Sequence, residues 1–430
     1  QIVTLLAVAG VKTVHEYAGI TDTSPVDLSD QLPRLKEECE RGESLVLNLP
    51  TKQKAQLSQM ADSERAQLLA ERFDGVCVHP ESEIVHVWRG GVWCPISTME
   101  LSREMVAIYS EHRATFSKRV INNAVEALKV IAEPMGEPSG DLLPFANGAL
   151  DLKTGEFSPH TPENWITTHN GIEYTPPAPG ENIRDNAPNF HKWLEHAAGK
   201  DPRKMMRICA ALYMIMANRY DWQMFIEATG DGGSGKSTFT HIATLLAGKQ
   251  NTVSAEMTSL DDAGGRAQVV GSRLIVLADQ PKYTGVKKST GGDPVEINPK
   301  YEKRFTTIIR AVVLATNNDP MIFTERAGGV SRRRVIFRFD NIVREDEKDK
   351  ELPEKIAAEI PVIIRRLLAN FADPEKARAL LLEQRDGDEA LAIKQQTDPV
   401  VELCAALEFL EEARGLMMGG GGDTVKYTTR

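Results

Sequence analysis

The chain has 430 residues, of which 41% are hydrophobic and 26% are charged, and its formal net charge is −10. These proportions are typical of globular protein, and no apolar run of about 18 residues is present, so no membrane span is expected. The acidic balance excludes a surface that attracts nucleic acid as a whole, so any DNA contact must use a local basic strip. The five cysteines are scattered without a CxxC pair, which indicates a reducing, cytoplasmic setting.

The chain begins with Gln1 rather than Met, which favours a fragment of a longer protein. Residues 1–72 show helical spacing with many charges, as in Leu32–Glu40 and Lys52–Arg72. This region is interpreted as a helical linker or the remnant of an upstream domain.

Residues 73–180 predict an α+β domain. It opens with a β-meander over Val76–His79, Ile84–Trp88 and Val92–Pro95, and helices follow over Leu101–Tyr109 and Phe116–Ala132. The meander carries a cluster of possible zinc ligands, but their spacing fits no standard site, so ordinary sheet side chains are the preferred interpretation. The cluster comprises Cys77, His79, His86 and Cys94. Hairpins are expected at the turns after Phe145 and Leu152, and the proline-rich stretch Tyr174–Gly180 predicts a linker.

Two helices, Phe190–Ala198 and Pro202–Ala217, are predicted ahead of a glycine-rich stretch, Gly230-Asp231-Gly232-Gly233-Ser234-Gly235-Lys236-Ser237. The stretch matches the phosphate-binding pattern G-x-x-x-x-G-K-[ST] between a buried strand, Trp222–Ala228, and a helix, Thr238–Leu246. Glycines let backbone N–H groups converge on phosphate oxygens, and the helix N-terminus adds partial positive charge. The expected nucleotide contacts are Gly230, Gly232, Gly233, Ser234, Gly235, Lys236, Ser237 and Thr238. Lys236 would reach the β/γ-phosphates of ATP and Ser237 would hold Mg²⁺; a glycine-rich surface turn is the bland alternative.

Further strands alternate with helices after this loop and predict a three-layer α/β domain over residues 188–345. Strand Arg273–Ala278 is followed by Asp279, an acid at the carboxyl end of a strand that is expected to neighbour the phosphate loop, and Asp279 is expected to hold the Mg²⁺ shell. Gln280 stands where many ATPases carry a second acid. The catalytic base is therefore left open between Asp279 itself, water oriented by Gln280, and a distant acid such as Glu256 or Asp293.

Strand Ala311–Ala315 ends in Thr316-Asn317-Asn318, and Asn317 is predicted to sense the γ-phosphate rather than only to form a turn. Arg332 and Arg333 lead into a fourth strand, Val335–Phe339, and one of them is expected to act as an arginine finger on the neighbouring subunit's nucleotide. A solvated basic turn is the alternative.

The stretch from Lys282 to Phe305 is the predicted DNA contact. Val295–Asn298 and Tyr301–Phe305 predict a β-hairpin whose tip combines basic and aromatic groups, a pairing suited to single-stranded DNA. The expected contacts are Lys288, Lys300, Tyr301 and Lys303; a solvated charged loop is the alternative. Residues 346–430 predict helices over Glu354–Phe371, Ala377–Glu383 and Val400–Arg414, and then a glycine run and Val425–Thr428, which together suggest a truncated winged helix or a flexible tail.

In this order of elements the chain resembles superfamily 3 helicases, and more narrowly the phage, plasmid and poxvirus primase-helicases. The resemblance rests on four segments and spans roughly residues 75–345. They are Thr290-Gly291-Gly292-Asp293-Pro294, Ala315-Thr316-Asn317, Arg332-Arg333, and Phe145-Ala146-Asn147-Gly148 with Leu150-Asp151. Gln280, and Ser331 in place of a large aromatic residue, depart from the family pattern.

The resemblance implies an AAA+-like P-loop core that assembles into a hexameric ring, hydrolyses ATP with Mg²⁺ between subunits, and pulls single-stranded DNA through a central channel. It also implies a primase domain upstream and, for a phage protein, the host cytoplasm. Three rivals remain: a loader or remodeller of other proteins, an origin-binding module that uses nucleotide only as a switch, and a monomeric small-molecule kinase.

Overall fold

The computed structural model describes Leu57, residues 59–278, 282–283, 292–300, 303–323 and 331–397, and Leu403 and Leu407. The helix predicted over Leu32–Glu40, most of that over Val400–Arg414, and the terminal segment Val425–Thr428 lie outside these residues. Within the described part of the chain, no helix has the length and apolar character needed to cross a membrane.

The chain forms two compact units, and the first contains the described residues up to Phe73 together with Ile96–Ala132. It holds three helices: α1 (Asp62–Ala70), α2 (Thr98–Glu111) and α3 (Lys118–Ile131). Ser97 and Ser117 cap α2 and α3 by accepting hydrogen bonds from the backbone three residues on, which satisfies N–H groups that lack helical partners. Each helix buries one apolar stripe, as the sequence spacing predicts.

The second unit contains Asp74–Pro95 and the residues from Glu133 onward. Its first sheet has the order β3-β2-β1-β4 and includes the predicted meander, formed by β1 (Val76–Val78), β2 (Val85–Arg89) and β3 (Val92–Pro95), with β4 (Glu133–Pro134) at one edge. Among the described residues, no group of three or more His, Cys, Asp or Glu side chains is placed to hold a metal ion.

A three-stranded antiparallel sheet follows, formed by β5 (Leu142–Phe145), β6 (Gly148–Asp151) and β7 (Phe157–Ser158). Side-chain hydrogen bonds hold the turn between β5 and β6 in place. Asn147 accepts a hydrogen bond from Tyr174 N (2.8 Å) and donates one to Tyr174 O (2.9 Å), and Gly148 adopts a φ of 157°. The predicted Asn-Gly hairpin is therefore present, and its asparagine side chain also anchors the stretch that the sequence identified as a linker.

The main sheet of this unit is five-stranded and entirely parallel, with the order β16-β8-β14-β10-β9. Its strands are β8 (Phe225–Thr229), β9 (Thr252–Ser254), β10 (Leu274–Ala278), β14 (Val312–Asn317) and β16 (Arg334–Arg338). Short pairs lie beside it: β11 (Lys282–Tyr283) with β15 (Ile322–Phe323), and β12 (Val295–Ile297) with β13 (Phe305–Thr307). The strand-helix alternation therefore predicts the layered α/β architecture correctly.

Alternate residues of the strands enter two separate cores, as a sheet covered on both faces requires. Ile226 and Leu314 face the larger core, which is built by helices, whereas Phe225 and Val313 face the smaller core. The helices of this unit are α4 (Ile183–Asn186), α5 (Pro188–Ala197), α6 (Pro202–Met216), α7 (Lys236–Ala247), α8 (Met257–Asp261), α9 (Ala263–Arg266), α10 (Leu352–Asn370), α11 (Pro374–Asp386) and α12 (Asp388–Thr397).

Three details of the sequence prediction are corrected by the structure. The strand predicted from Trp222 begins at Phe225, because Tyr220–Trp222 forms a 3-10 turn. The second strand of the predicted hairpin lies at Phe305–Thr307 rather than Tyr301–Phe305. The strand that precedes Asp279 was expected beside the phosphate-loop strand, but β14 pairs with both β8 and β10 and lies between them.

Candidate functional site

The glycine-rich stretch Gly230–Ser237 connects the carboxyl end of β8 to the start of α7. Gly230 has a φ of 138°, and a Cβ atom there would lie 2.1 Å from the carbonyl oxygen of Phe339. Gly235, with a φ of 98°, has the side chain of Trp193 3.0 Å from the corresponding position. Left-handed backbone and close packing both require glycine here, so the loop has the tight form that the sequence pattern predicts.

Lys236 is the first residue of α7, and its side chain folds back over the loop. Nζ donates hydrogen bonds to the carbonyl oxygens of Gly230 and of Asp231, the latter at 2.8 Å. The Ser234 hydroxyl is buried and has no hydrogen-bond partner among the described residues. A helix N-terminus, a cation and an unsatisfied hydroxyl around one loop suit an anion, and a phosphate group fits this chemistry.

Ser237 is exposed on the first turn of α7, and Thr238 follows it half-buried. Asp279 and Gln280 lie outside the described residues, but the preceding residue, Ala278, pairs with Thr316 at the carboxyl end of β14. Hydroxyl and carboxylate oxygens are the ligands that Mg²⁺ prefers. The chemistry of Ser237 and Asp279 therefore suits this ion, and both roles remain predictions.

Asn317 lies at the carboxyl end of β14 and pairs in register with Thr229, the residue immediately before the phosphate loop. It is buried, and the next carbonyl, that of Asn318, accepts a hydrogen bond from Gly230 N at 3.2 Å. The tip of β14 is thus joined directly to the start of the phosphate loop. Asn317 therefore lies beside the residue from which the loop begins.

The two alternative acids are placed differently. Glu256 is exposed just after β9, at the same edge of the sheet, but two strands separate β9 from β8. At the usual strand spacing this amounts to about 14 Å. Asp293 is exposed ahead of β12. Neither placement decides which residue activates water, so the catalytic base stays open.

Arg332 and Arg333 lie at the amino ends of the parallel strands, whereas the phosphate loop lies at their carboxyl ends. Both precede β16, in which Arg334 pairs with Phe225 at the start of β8, whereas the loop begins after Thr229 at the other end of that strand. The length of β8 separates the two ends by roughly 13–17 Å. Arg332 is exposed and Arg333 is buried. Both arginines therefore lie away from this chain's own loop.

The predicted DNA hairpin is present as β12 and β13, with Ile297 paired to Phe305. Arg266 anchors it by donating two hydrogen bonds to the Glu296 carbonyl, at 3.0 and 2.9 Å. Lys300 and Lys303 are exposed, and Lys303 Nζ pairs with Glu83 at 2.6 Å. Lys288 and Tyr301 lie outside the described residues.

The sequence did not identify three further candidate residues in this unit. Arg304 adds a further exposed cation to the hairpin and contacts Asn298 at 3.1 Å. Trp193 on α5 donates a hydrogen bond from its indole nitrogen to the Gly235 carbonyl at 3.3 Å and stacks on Phe239. Its presence in the predicted helix was visible, but nothing in the sequence indicated that it would contact the phosphate loop.

Glu227 is the third of these residues. It lies in the middle of β8, fully buried, and forms a two-pronged ion pair with Arg334 at 2.6 and 3.0 Å. Glu227 also accepts a hydrogen bond from Met321 N at 2.9 Å. The sequence did contain a signal for this ion pair, because Glu227 is a charged residue inside a predicted buried strand. Such residues are almost never buried without a partner.

Comparisons with known proteins agree with this architecture. Residues 66–199 match the family described as "D5 N terminal like", and residues 228–334 match a family of unknown function, DUF5906. The second match extends from the end of β8 to the start of β16, so it includes the phosphate loop, Asn317 and both arginines.

Among solved structures, the C terminal region of NrS-1 shares the fold. Its A form apo structure matches with a TM-score of 0.53 and 14% identity, covering 81% of this chain and 77% of that one. Two further apo structures, both of residues 305–718 of the same region and one of them in the A form, each match with a TM-score of 0.54 and 14% identity. Each match covers 81% of this chain and 78% of that one. At this identity the likeness concerns the fold alone.

Proposed function

We propose that this chain is the ATP-driven helicase motor of a primase-helicase of the phage, plasmid and poxvirus type, belonging to superfamily 3. The observation that carries the proposal is the pairing of Asn317 with Thr229, which joins a strand-tip amide to a phosphate loop with Lys236 at its helix end. The match of residues 66–199 to the D5 N terminal like family supports the primase-helicase type.

ATP is the proposed substrate, and water would break the bond between its γ-phosphate and its β-phosphate. Lys236 would exchange the carbonyl oxygens of Gly230 and Asp231 for phosphate oxygens, because a cation gains more from an anion than from neutral acceptors. Ser237 and Asp279 would hold Mg²⁺. Asn317 would orient the attacking water from the tip of β14.

A ring of subunits is proposed because the arginines and the phosphate loop lie at opposite ends of the strands of one sheet. An arginine that cannot reach its own loop can complete the loop of a neighbour, and repeated head-to-tail contacts of this kind form a ring when the rotation between subunits closes. We propose a hexamer, with Arg332 as the finger since it is exposed whereas Arg333 is buried. Single-stranded DNA would contact the β12–β13 hairpin through Lys300 and Lys303.

The deciding experiment is strand displacement on a forked duplex with ATP and Mg²⁺, run beside light scattering to obtain the subunit number. The unaltered chain is expected to separate the strands, and Lys236→Ala is expected to lose at least about a hundredfold in rate because a preorganised phosphate contact is removed. Lys249→Ala, an exposed lysine just beyond the far end of α7, is the matched control. DNA-stimulated hydrolysis without strand separation would instead favour a loader or remodeller.

A further inference from the structure

The segment that follows β16, residues 339–348, lies directly on the phosphate loop. At one end, the Phe339 carbonyl oxygen occupies the space that a side chain at Gly230 would need. Farther along, Val343 N donates a hydrogen bond to the Gly233 carbonyl at 3.1 Å. The segment therefore contacts the loop at its first and fourth residues.

A second set of contacts fixes this segment from α5. The Asn341 side chain donates to the His196 carbonyl at 2.8 Å, and the His196 ring contacts the Asn341 carbonyl at 2.7 Å. The Phe339 ring is buried against Phe239 of α7. Since the backbone is anchored on both sides, the side chains it presents beside the loop have defined positions.

Two of those side chains face the flank of the loop at Gly233. A Cβ atom at Gly233 would lie 3.7 Å from Ile342 Cγ2, 3.6 Å from Lys348 Cε and 3.7 Å from Lys348 Nζ. Ile342 is 54% exposed even though its backbone is anchored. A single exposed apolar side chain is ordinary on a surface, but this one lies beside the loop at Gly233.

Gly233 lies three residues along the loop from the proposed γ-phosphate position. That position lies near Gly230, where Asn318 contacts the loop and Lys236 Nζ also binds. A nucleotide whose terminal phosphate lies near Gly230 must direct its sugar and base toward another part of the loop. The flank at Gly233 offers an apolar surface and a cation close together, which matches a flat base joined through a sugar to an anionic phosphate.

We propose that Ile342 and Lys348 form the base side of the nucleotide site. Ile342 packs against the face of a purine, and Lys348 pairs with the phosphate nearest the sugar. This inference rests on the proposed function and adds the residues that recognise the rest of the nucleotide. Lys348 pairs with Glu345, whose side chain is 87% exposed, and exposed ion pairs contribute little, so Lys348 can exchange this partner for phosphate.

The test is equilibrium binding of ATP, ADP and inorganic tripolyphosphate to the full chain, measured by calorimetry. Ile342→Ala is expected to weaken ATP and ADP binding by about five- to tenfold through lost apolar contact, and to leave tripolyphosphate binding within about twofold. Leu391→Ala removes a comparably exposed apolar side chain on α12 and is the matched control. Equal ATP affinity in Ile342→Ala and the unaltered chain would overturn the assignment of Ile342.

The assignment of Lys348 is tested by removing its charge or its ion-pair partner. Lys348→Ala is expected to weaken all three ligands by about five- to tenfold, and Glu345→Gln to strengthen them by about twofold because it releases the lysine. Lys350→Ala, an exposed lysine two positions away, is expected to change none of them. Unchanged binding in Lys348→Ala would overturn its assignment. If the unaltered chain binds no ATP and no tripolyphosphate, the proposed function itself fails, which is a separate outcome.

Discussion

Glu227 in β8 and Arg334 in β16 form a fully buried ion pair whose two hydrogen bonds measure 2.6 and 3.0 Å. The pair crosses two adjacent parallel strands, of which β8 leads into the phosphate loop and β16 follows the two candidate finger arginines. Because Glu227 also accepts a hydrogen bond from Met321 N beyond the tip of β14, one carboxylate joins β8, β16 and the segment that follows β14. These contacts fix the start of β16, which directly follows Arg332 and Arg333.

We expect Glu227→Ala to destabilise the second unit by about 3–5 kcal/mol, because it leaves the Arg334 charge buried without its carboxylate. Urea unfolding followed by circular dichroism measures this change. Asp340→Asn, in the exposed pair with Arg338, is the control and should unfold as the unaltered chain does. The double variant Glu227→Leu, Arg334→Met should recover part of the loss, and no recovery would show that the charges themselves are required.

Trp193 should report nucleotide binding, since its indole nitrogen binds the Gly235 carbonyl of the phosphate loop. Adding ATP is expected to change the intrinsic fluorescence of the unaltered chain. Trp193→Phe keeps the stacking on Phe239 but removes the hydrogen bond, so the signal should largely disappear and ATP affinity should fall by several-fold. Trp165→Phe, distant in sequence from the loop, is the control. An equal fluorescence change in Trp193→Phe would show that the signal comes from another residue and not from Trp193.

Arg332 should act on the nucleotide of a neighbouring subunit. We expect Arg332→Ala to lower ATP hydrolysis by about a thousandfold with little change in ATP affinity, because the charge acts on the transition state. Mixed with Lys236→Ala subunits, it should regain activity at about a quarter of the interfaces if the two kinds of subunit assemble at random. Steady-state hydrolysis over a series of mixing ratios measures this rescue. Absence of rescue in mixtures shown to co-assemble would favour an arginine that acts within its own chain.

The hairpin lysines should contribute charge to DNA binding. The double variant Lys300→Ala, Lys303→Ala is expected to weaken single-stranded DNA binding and to reduce the slope of log K against log salt by about 1.4, or 0.7 for each phosphate contact. Glu83→Gln should strengthen binding slightly, since Glu83 pairs with Lys303 at 2.6 Å. Fluorescence anisotropy of labelled oligonucleotides at several salt concentrations measures both effects, with Lys249→Ala as the control. An unchanged slope in the double variant would place the DNA elsewhere.

Glu383 on α11 predicts an acid-dependent loss of stability. Hydrogen bonds from Arg203 and Arg207 of α6 lower the pKa of Glu383 from 4.5 to about 2. A lowered pKa means that the stabilisation is present above the ordinary value and is lost as pH falls from about 4.5 toward 2. Glu383→Gln should remove this part of the acid dependence, while exposure to solvent limits its size. Urea midpoints measured from about pH 6 to about pH 2 test this, because carboxylates titrate within roughly this range. Identical profiles for both proteins would contradict it.

The sequence by itself predicted the glycine-rich loop, four of the five strands of the main sheet and most of the longer helices of the second unit, but not β9. The loop depends on glycines at fixed spacing and on Lys236, all adjacent in the chain, and Gly230 and Gly235 do adopt the left-handed backbone that the pattern requires. The Asn147-Gly148 hairpin was likewise visible, because a tight turn is satisfied by residues a few positions away.

Only the tertiary structure decided which strands are neighbours. Parallel strands are joined by long crossovers, so nothing local indicates that β14 lies between β8 and β10, or that Arg332 and the loop lie at opposite ends of the strands. The partners of Glu227, Trp193 and Gly233 come from distant parts of the chain for the same reason. Such contacts are selected by how the whole sheet and its helices pack, which the local pattern of residues does not contain.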